Sequence, residues 1–186
     1  MSDHERLISL LASRSARRGR FTLASGRVST LYIDARMTSM SPEGLPLIGR
    51  LGLAEISAAG WRPQAVGGLT LGADPISYAS SGTSTPLRAF TVRKATKNHG
   101  TGKLIEGPFE PSDDVVVTED VITTGSSALK AVEAIRGAGA SVLGVLALVD
   151  REEGGRETLE REGLAVRVLA SARAIVGHLD RSARNL

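Results

Sequence analysis

The sequence predicts an α/β protein built on a parallel sheet flanked by helices, with a small N-terminal appendage, or hood. Three observations carry that prediction. Strand-like and helix-like segments alternate from Ala65 to Leu169, the pattern of a sheet whose strands are joined by helical crossovers. The runs Val115-Val116-Val117 and Val142 to Val149 are apolar without alternation, as expected of strands covered on both faces. A length of 186 residues with 41% hydrophobic content supplies one sizeable core. The chain therefore reads as a single domain over residues 1–186, with the hood at 1–40 plus part of the C-terminal tail and the core at 41–170.

Each element has its own signal. Ser2 and Glu5 stand in capping-box spacing ahead of Leu7, Ile8, Leu10 and Leu11, so a helix is expected to run to Ser15. Phe21 to Leu23 and Leu31 to Asp34 alternate apolar and polar residues around Ser25-Gly26, which predicts a hairpin or two short strands. A second helix is expected to begin near Ser41-Pro42-Glu43, where proline is tolerated in the first turn, and to end at Gly60. Ala65 to Leu69 then reads as a strand, Asp74 to Ser80 as a helix and Leu87 to Val92 as a strand. Val115 to Thr118 is the next strand, followed by a helix over Ser126 to Arg136 that Gly137 and Gly139 close. Val142 to Val149 is a buried strand, Arg156 to Glu162 a helix, Val166 to Leu169 a strand, and a short helical tail completes the chain. One irregular stretch remains, Arg93 to Asp113. It is long for a connection inside a compact domain, and such stretches are functional lids or disordered segments.

Composition removes several classes of function. Val142 to Val149 is the longest apolar stretch, far short of the roughly 20 residues that span a bilayer, so no membrane partner is expected. No cysteine is present, which excludes disulfide frameworks, thiolate metal sites and cysteine nucleophiles. Asp3, His4 and Glu5 give the N-terminal residues no secretory pattern, and the expectation is a soluble, cytoplasmic protein. The formal net charge is only +3, so the local cluster Arg93, Lys94, Lys97, His99 and Lys103 says more than the total. Such a cluster is a solvated face, a nucleic-acid patch or an anion clamp. With 3% aromatics and no stacking rings among the cations, single-strand nucleic-acid binding is the weakest of the three, and no nucleic-acid partner is expected.

The segment from Val115 to Ser127 carries the chemistry. A buried strand runs through Glu119, Asp120, Val121 and Ile122 into Thr123, Thr124, Gly125, Ser126 and Ser127, which open a helix. Carboxyl ends of parallel strands are where α/β domains bind ligands, which sets both acids at the rim of a cleft. Free N–H groups at the helix start, with four hydroxyls beside them, suit a phosphate dianion, and Gly125 allows close approach. A hydroxyl-rich turn alone is an ordinary helix cap. Two consecutive acids coupled to it ask instead for a ligand with a phosphate and vicinal hydroxyls, as in ribose 5-phosphate. No Gly-x-x-x-x-Gly-Lys or Gly-x-Gly-x-x-Gly pattern occurs, so the usual nucleotide loops are absent.

This segment closely resembles the phosphoribosyl pyrophosphate (PRPP) binding motif of the type I phosphoribosyltransferases, and the resemblance implies their fold. By it, Glu119 and Asp120 meet the ribose hydroxyls and Thr123 to Ser127 hold the 5-phosphate. Arg93-Lys94-Ala95-Thr96-Lys97-Asn98-His99-Gly100 resembles the mobile catalytic loop of the orotate phosphoribosyltransferase family, which implies that Arg93, Lys94, Lys97 and His99 act on PRPP in catalysis. Gly67 to Asp74 is similar to the family's pyrophosphate loop, with Thr70, Leu71 and Gly72 at its centre. Phe21 to Arg27 with Tyr32-Ile33-Asp34 is similar to the hood that covers the base. Arg151 matches the position that meets the orotate carboxylate, with Thr123 nearby. Ala24 departs from the pattern, since many members have lysine there, and Arg27 is a candidate substitute. The resemblance further implies magnesium held through PRPP rather than by direct protein ligands, and a homodimer in which the catalytic loop is shared between subunits.

Two other readings stay open at this point. A purine phosphoribosyltransferase shares the PRPP motif but has no need of the basic loop or of Arg151. A PRPP-sensing regulator that binds nucleic acid shares the fold, but such proteins lose catalytic loop residues, whereas Arg93, Lys94, Lys97 and His99 are all present here.

Overall fold

A computed structural model describes residues 1–22, 28–83, 86–95 and 103–184. The N-terminal helix α1 (Asp3–Leu10) begins at the expected capping box, with Ser2 Oγ accepting from Glu5 N–H and the Glu5 carboxylate accepting from Ser2 N–H. It continues as one π-helical turn over Leu11–Ser15. Strands β1 (Ala16–Thr22) and β2 (Val28–Ile33) pair antiparallel as a separate two-stranded sheet, with Phe21 and Tyr32 in ring contact at 5.4 Å. β1 starts five residues earlier than its apolar alternation suggested, because Arg17, Arg18, Gly19 and Arg20 are exposed and carry no pattern. Leu23 to Arg27, including Ala24, lie outside the described residues.

A one-turn helix α2 (Arg36–Ser39) precedes α3 (Gly44–Ala58). The α3 helix begins past Pro42, where Ser41 Oγ accepts from Gly44 N–H at 3.0 Å. The main sheet then follows, with β3 (Ala65–Leu69), α4 (Asp74–Thr83), β4 (Arg88–Val92), β5 (Ile105–Glu106), β6 (Asp114–Ile122), α5 (Ser126–Gly137), β7 (Ser141–Asp150), α6 (Gly155–Arg161), β8 (Val166–Ser171) and α7 (Ala172–Arg184). Its six strands run in the order β5-β4-β3-β6-β7-β8, parallel except for β5, which pairs antiparallel with β4. That short strand lies in the stretch expected to be irregular, and two residues are too few for a periodic signal.

Two apolar layers sandwich the sheet. On one face Leu7, Leu47, Ile48, Ile76 and Ile175 from α1, α3, α4 and α7 pack on Val66, Val116, Leu146 and Leu148. On the other, Ala128, Val132 and Ile135 of α5 and Leu159 of α6 pack on Val115, Val117 and Val145. This double cover explains why β6 and β7 read as unbroken apolar runs. Arg18 of β1 forms an ion pair with Asp180 of α7, tying the hairpin to the C-terminal helix. Among the described residues no helix is long and apolar enough to cross a membrane.

Candidate active site

The strand order reverses between β3 and β6: from β3 the chain builds outward to β4, and from β6 it builds the other way through β7 and β8. Carboxyl ends at such a switch point form the crevice in which doubly wound sheets take ligands. Here the ladder between the two strands runs only from Ala65↔Val115 to Gly67↔Val117, although both strands continue. A cleft of about 360 Å³ opens at that place. A larger hollow of about 830 Å³ lies elsewhere, lined by Trp61, Pro63, Leu87 and Arg88, and Arg88 is already engaged by Glu110 and Asp113. The smaller cleft is the one in which unpaired donors and carboxylates converge.

One wall is the acid pair. Both acids lie inside β6 rather than in a turn beyond Thr118, because pairing with β7 persists to Ile122↔Asp150. Glu119 is 6% exposed. Burial pushes its carboxyl well above the usual range, and the Asp120 side chain adds to the shift. Asp120 accepts from Val121 N–H at 2.8 Å and faces Gly72 across the cleft. Val121 lines the cleft, whereas the Ile122 side chain is buried in the α5-side core.

The opposite wall is the turn after β3, where Thr70, Leu71 and Gly72 line the cleft and the Thr70–Leu71 peptide is cis. Thr70 N–H donates to Val92 O at 2.8 Å, while the Leu71 and Gly72 amides have no acceptor among the described residues. Two adjacent free N–H groups form an anion site. A second set sits at the start of α5, where the Thr124, Gly125, Ser127 and Ala128 amides likewise have no acceptor among the described residues. Thr123 and Ser127 line the cleft, and Thr124 Oγ1 donates to Ser126 Oγ at 3.2 Å. The sequence placed Gly125 for close ligand approach, and the structure gives it a further reason. Its φ is +81°, and an added Cβ would lie 2.9 Å from Gly155 O and 3.2 Å from Leu159 Cγ, so glycine is required by the backbone and by packing on α6.

Cations stand at the rim. Lys94 lines the cleft and also an adjoining one of about 490 Å³ with Thr70, Thr91 and Arg93. The Arg93 guanidinium is turned to Glu106 at 3.5 Å and to Ala95 O at 3.4 Å. Lys97 and His99 lie outside the described residues. Arg151 follows β7, its amide bonded to Ile122 O at 2.9 Å, and its side chain is 6% exposed. One terminal nitrogen donates to Glu153 at 2.7 Å and to Ser29 Oγ of the hood at 3.1 Å. Its Nε is buried with no partner among the described residues. A buried guanidinium N–H left unpaired is costly, and an anionic oxygen entering the cleft relieves it.

The sequence does not single out Arg36, although Asp34 belongs to the hood segment. Arg36 forks onto Asp34, with Nε to Oδ1 at 2.8 Å and a terminal nitrogen to Oδ2 at 2.9 Å, and both line the cleft. That bonding holds the Asp34 carboxyl below the usual range. The available signal was an acid and a base two residues apart at the end of the hood. Asp74 stands in the sequence only as the last residue of the segment similar to the pyrophosphate loop and as the start of a helix, with no role of its own. Among the described residues no three His, Asp or Glu side chains gather as a metal cluster.

Parallel strands with a hydroxyl-rich turn at α5, an acid pair in β6 and a facing amide loop define a phosphoribosyltransferase of the type I fold. The solved adenine phosphoribosyltransferase of Leishmania tarentolae shares that fold, with a TM-score of 0.64 at 15% identity over 96% of this chain and 93% of its own. No family model matches the sequence. Closer likeness is to the orotate phosphoribosyltransferase of Rhodopirellula baltica, 44% identical over 175 residues, which are 90% of this chain and 91% of that protein. The orotate phosphoribosyltransferase of Aquifex aeolicus is 48% identical over 171 residues, 88% of this chain and 92% of its own. The structure of the Mycobacterium tuberculosis orotate phosphoribosyltransferase in complex with PRPP has a TM-score of 0.79 at 39% identity, covering 94% of this chain and 99% of that one. The chain belongs to the orotate phosphoribosyltransferase family.

Proposed function

We infer that this chain transfers ribose 5-phosphate from PRPP to N1 of orotate, giving orotidine 5-monophosphate and pyrophosphate, a step of pyrimidine biosynthesis. One observation carries the reading: the buried Arg151, its Nε without a partner among the described residues, shares a cleft with the acid pair and with two sets of amides that have no acceptor among them. A carboxylated base beside a sugar that bears a phosphate and a pyrophosphate uses all of these groups.

The assignments follow the chemistry of each group. The α5 amides with Thr123 and Ser127 take the 5-phosphate. Asp120 and Glu119 take ribose hydroxyls, with the Glu119 carboxyl, held toward its neutral form, able to donate as well as accept. The Leu71 and Gly72 amides and Lys94 meet the leaving pyrophosphate, and Arg93, Lys97 and His99 of the loop belong to the same task by resemblance. The Arg151 fork takes the orotate carboxylate. As the C1–pyrophosphate bond breaks, positive charge grows on the ribose and N1 of orotate closes on C1. Holding the two substrates in line supplies much of the rate, and no protein nucleophile is needed.

Magnesium belongs to this reading as an ion held mainly by PRPP oxygens. Of the three carboxylates lining the cleft, Asp34 is tied by Arg36 and Glu119 is held toward neutrality, so Asp120 is the one open to the ion or its waters. When bound, the ion neutralises charge on the pyrophosphate. A homodimer that shares the catalytic loop beginning at Arg93 is also proposed. Its support is exposed apolar surface, with Met37 of α2 at 54%, Met40 just after it at 51% and Leu45 of α3 at 37%. Cytoplasmic placement agrees with the absence of cysteine. The test is base selectivity: with PRPP and magnesium, orotate is consumed and adenine, hypoxanthine and uracil are not. Turnover of a purine without orotate would reject the reading.

A further inference from the structure

Asp74, the first residue of α4, is 8% exposed and accepts hydroxyl hydrogen bonds from the ends of two strands. Thr70 Oγ1 donates to Oδ2 at 2.7 Å and Thr91 Oγ1 donates to Oδ1 at 2.9 Å. The single hydroxyl hydrogen of Thr91 is thereby committed, so Tyr78 OH donates to Thr91 at 2.8 Å. Thr70 is clamped twice, through its amide to Val92 O and through its side chain to Asp74. The next two amides, Leu71 and Gly72, are those left free at the cleft. Asp74 itself lines neither this cleft nor the adjoining one.

We propose that Asp74 is a positioning residue for the pyrophosphate group: through Thr70 and Thr91 it fixes the turn that aims the Leu71 and Gly72 amides. The proposal rests on the PRPP reading above. Donors aimed before the ligand arrives stabilise developing charge without reorganisation during the reaction, so a loosened turn weakens the pyrophosphate end alone. The base end is held separately, by Arg151 through its bonds to Glu153 and Ser29. Asparagine at position 74 retains an acceptor for Thr91, and its amide N–H can donate to the Thr70 hydroxyl, so geometry survives loss of the charge.

The test compares native protein with Asp74→Ala, Asp74→Asn and Thr91→Val. It titrates inorganic pyrophosphate and PRPP with magnesium in the absence of orotate, then measures KM for each substrate. Asp74→Ala is expected to weaken pyrophosphate and PRPP about tenfold or more and to leave KM for orotate within about twofold. Asp74→Asn should recover binding to within about threefold of native, a rescue that a purely structural role does not distinguish by substrate. Should Asp74→Ala fail to fold, Thr91→Val keeps shape and carboxylate, and it should weaken pyrophosphate about threefold. Native-like pyrophosphate binding in Thr91→Val and Asp74→Ala, or equal loss at both substrates, overturns the proposal. Because binding is read without orotate, absent orotate turnover by native protein rejects the functional reading separately.

Discussion

Gly72 and Asp120 face each other across the cleft with no room between them for a methyl group: a Cβ on Gly72 would lie 2.6 Å from Asp120 Oδ1 and nearer still to the rest of the carboxyl group. The wall that offers amides and the wall that offers a carboxylate are therefore set at one fixed spacing. The obstructing atoms end a side chain, so Gly72→Ala should displace the carboxylate rather than unfold the protein. The expected result is a rise of about tenfold or more in KM for PRPP, with a thermal midpoint within about 3 °C of native. Unchanged kinetics would show that Asp120 does not contribute to PRPP binding.

Glu119 and Asp34 bias stability in opposite directions with pH. The folded value of Glu119 is raised by burial, so the native state holds its proton more tightly, and stability falls as pH rises above 4.5, the unperturbed value. The folded value of Asp34 is lowered by Arg36, so its contribution is present above 3.8, the unperturbed value, and fades as pH falls. Glu119→Gln should accordingly melt higher than native near about pH 8, with the gap closing toward about pH 4.5. Unfolding midpoints that stay equal across this range would contradict the buried, proton-holding carboxyl.

The buried Arg151 fork is aimed by Glu153 and Ser29. Lysine retains the charge but loses the planar pair of donors. Initial rates with Arg151→Lys should show KM for orotate up about tenfold or more and KM for PRPP within about twofold. An equal effect on both constants would remove the base assignment from this residue.

Leu159 is fully buried in α6 and packs on the side of Gly125 that a Cβ would occupy. Leu159→Ala removes the support beneath the phosphate turn. Urea unfolding should show a loss of about 3 kcal/mol with the slope unchanged. A loss under about 1 kcal/mol would mean that this packing contributes little.

The parallel core was legible because burial on both faces leaves unbroken apolar runs, and Ala65–Leu69 coincides with its expected bounds. The motif carries the β6 strand through Glu119 and Asp120, but its apolar pattern ends at Thr118; the end at Ile122 is set by pairing with β7, a partner distant in sequence. The α2 helix has a single turn and no side-chain cap, and β5 has two residues, so neither offers a local signal. Most of the site residues were named from the sequence. The bond that ties Thr70 and Thr91 to Asp74 joins three segments and exists only in the fold.

The most direct measurement follows orotate absorbance and pyrophosphate release together when native protein meets PRPP, orotate and magnesium. Orotate consumption and pyrophosphate appearance should be equal, with orotidine 5-monophosphate as the sole nucleotide product. PRPP binding with no loss of orotate would contradict the proposed function.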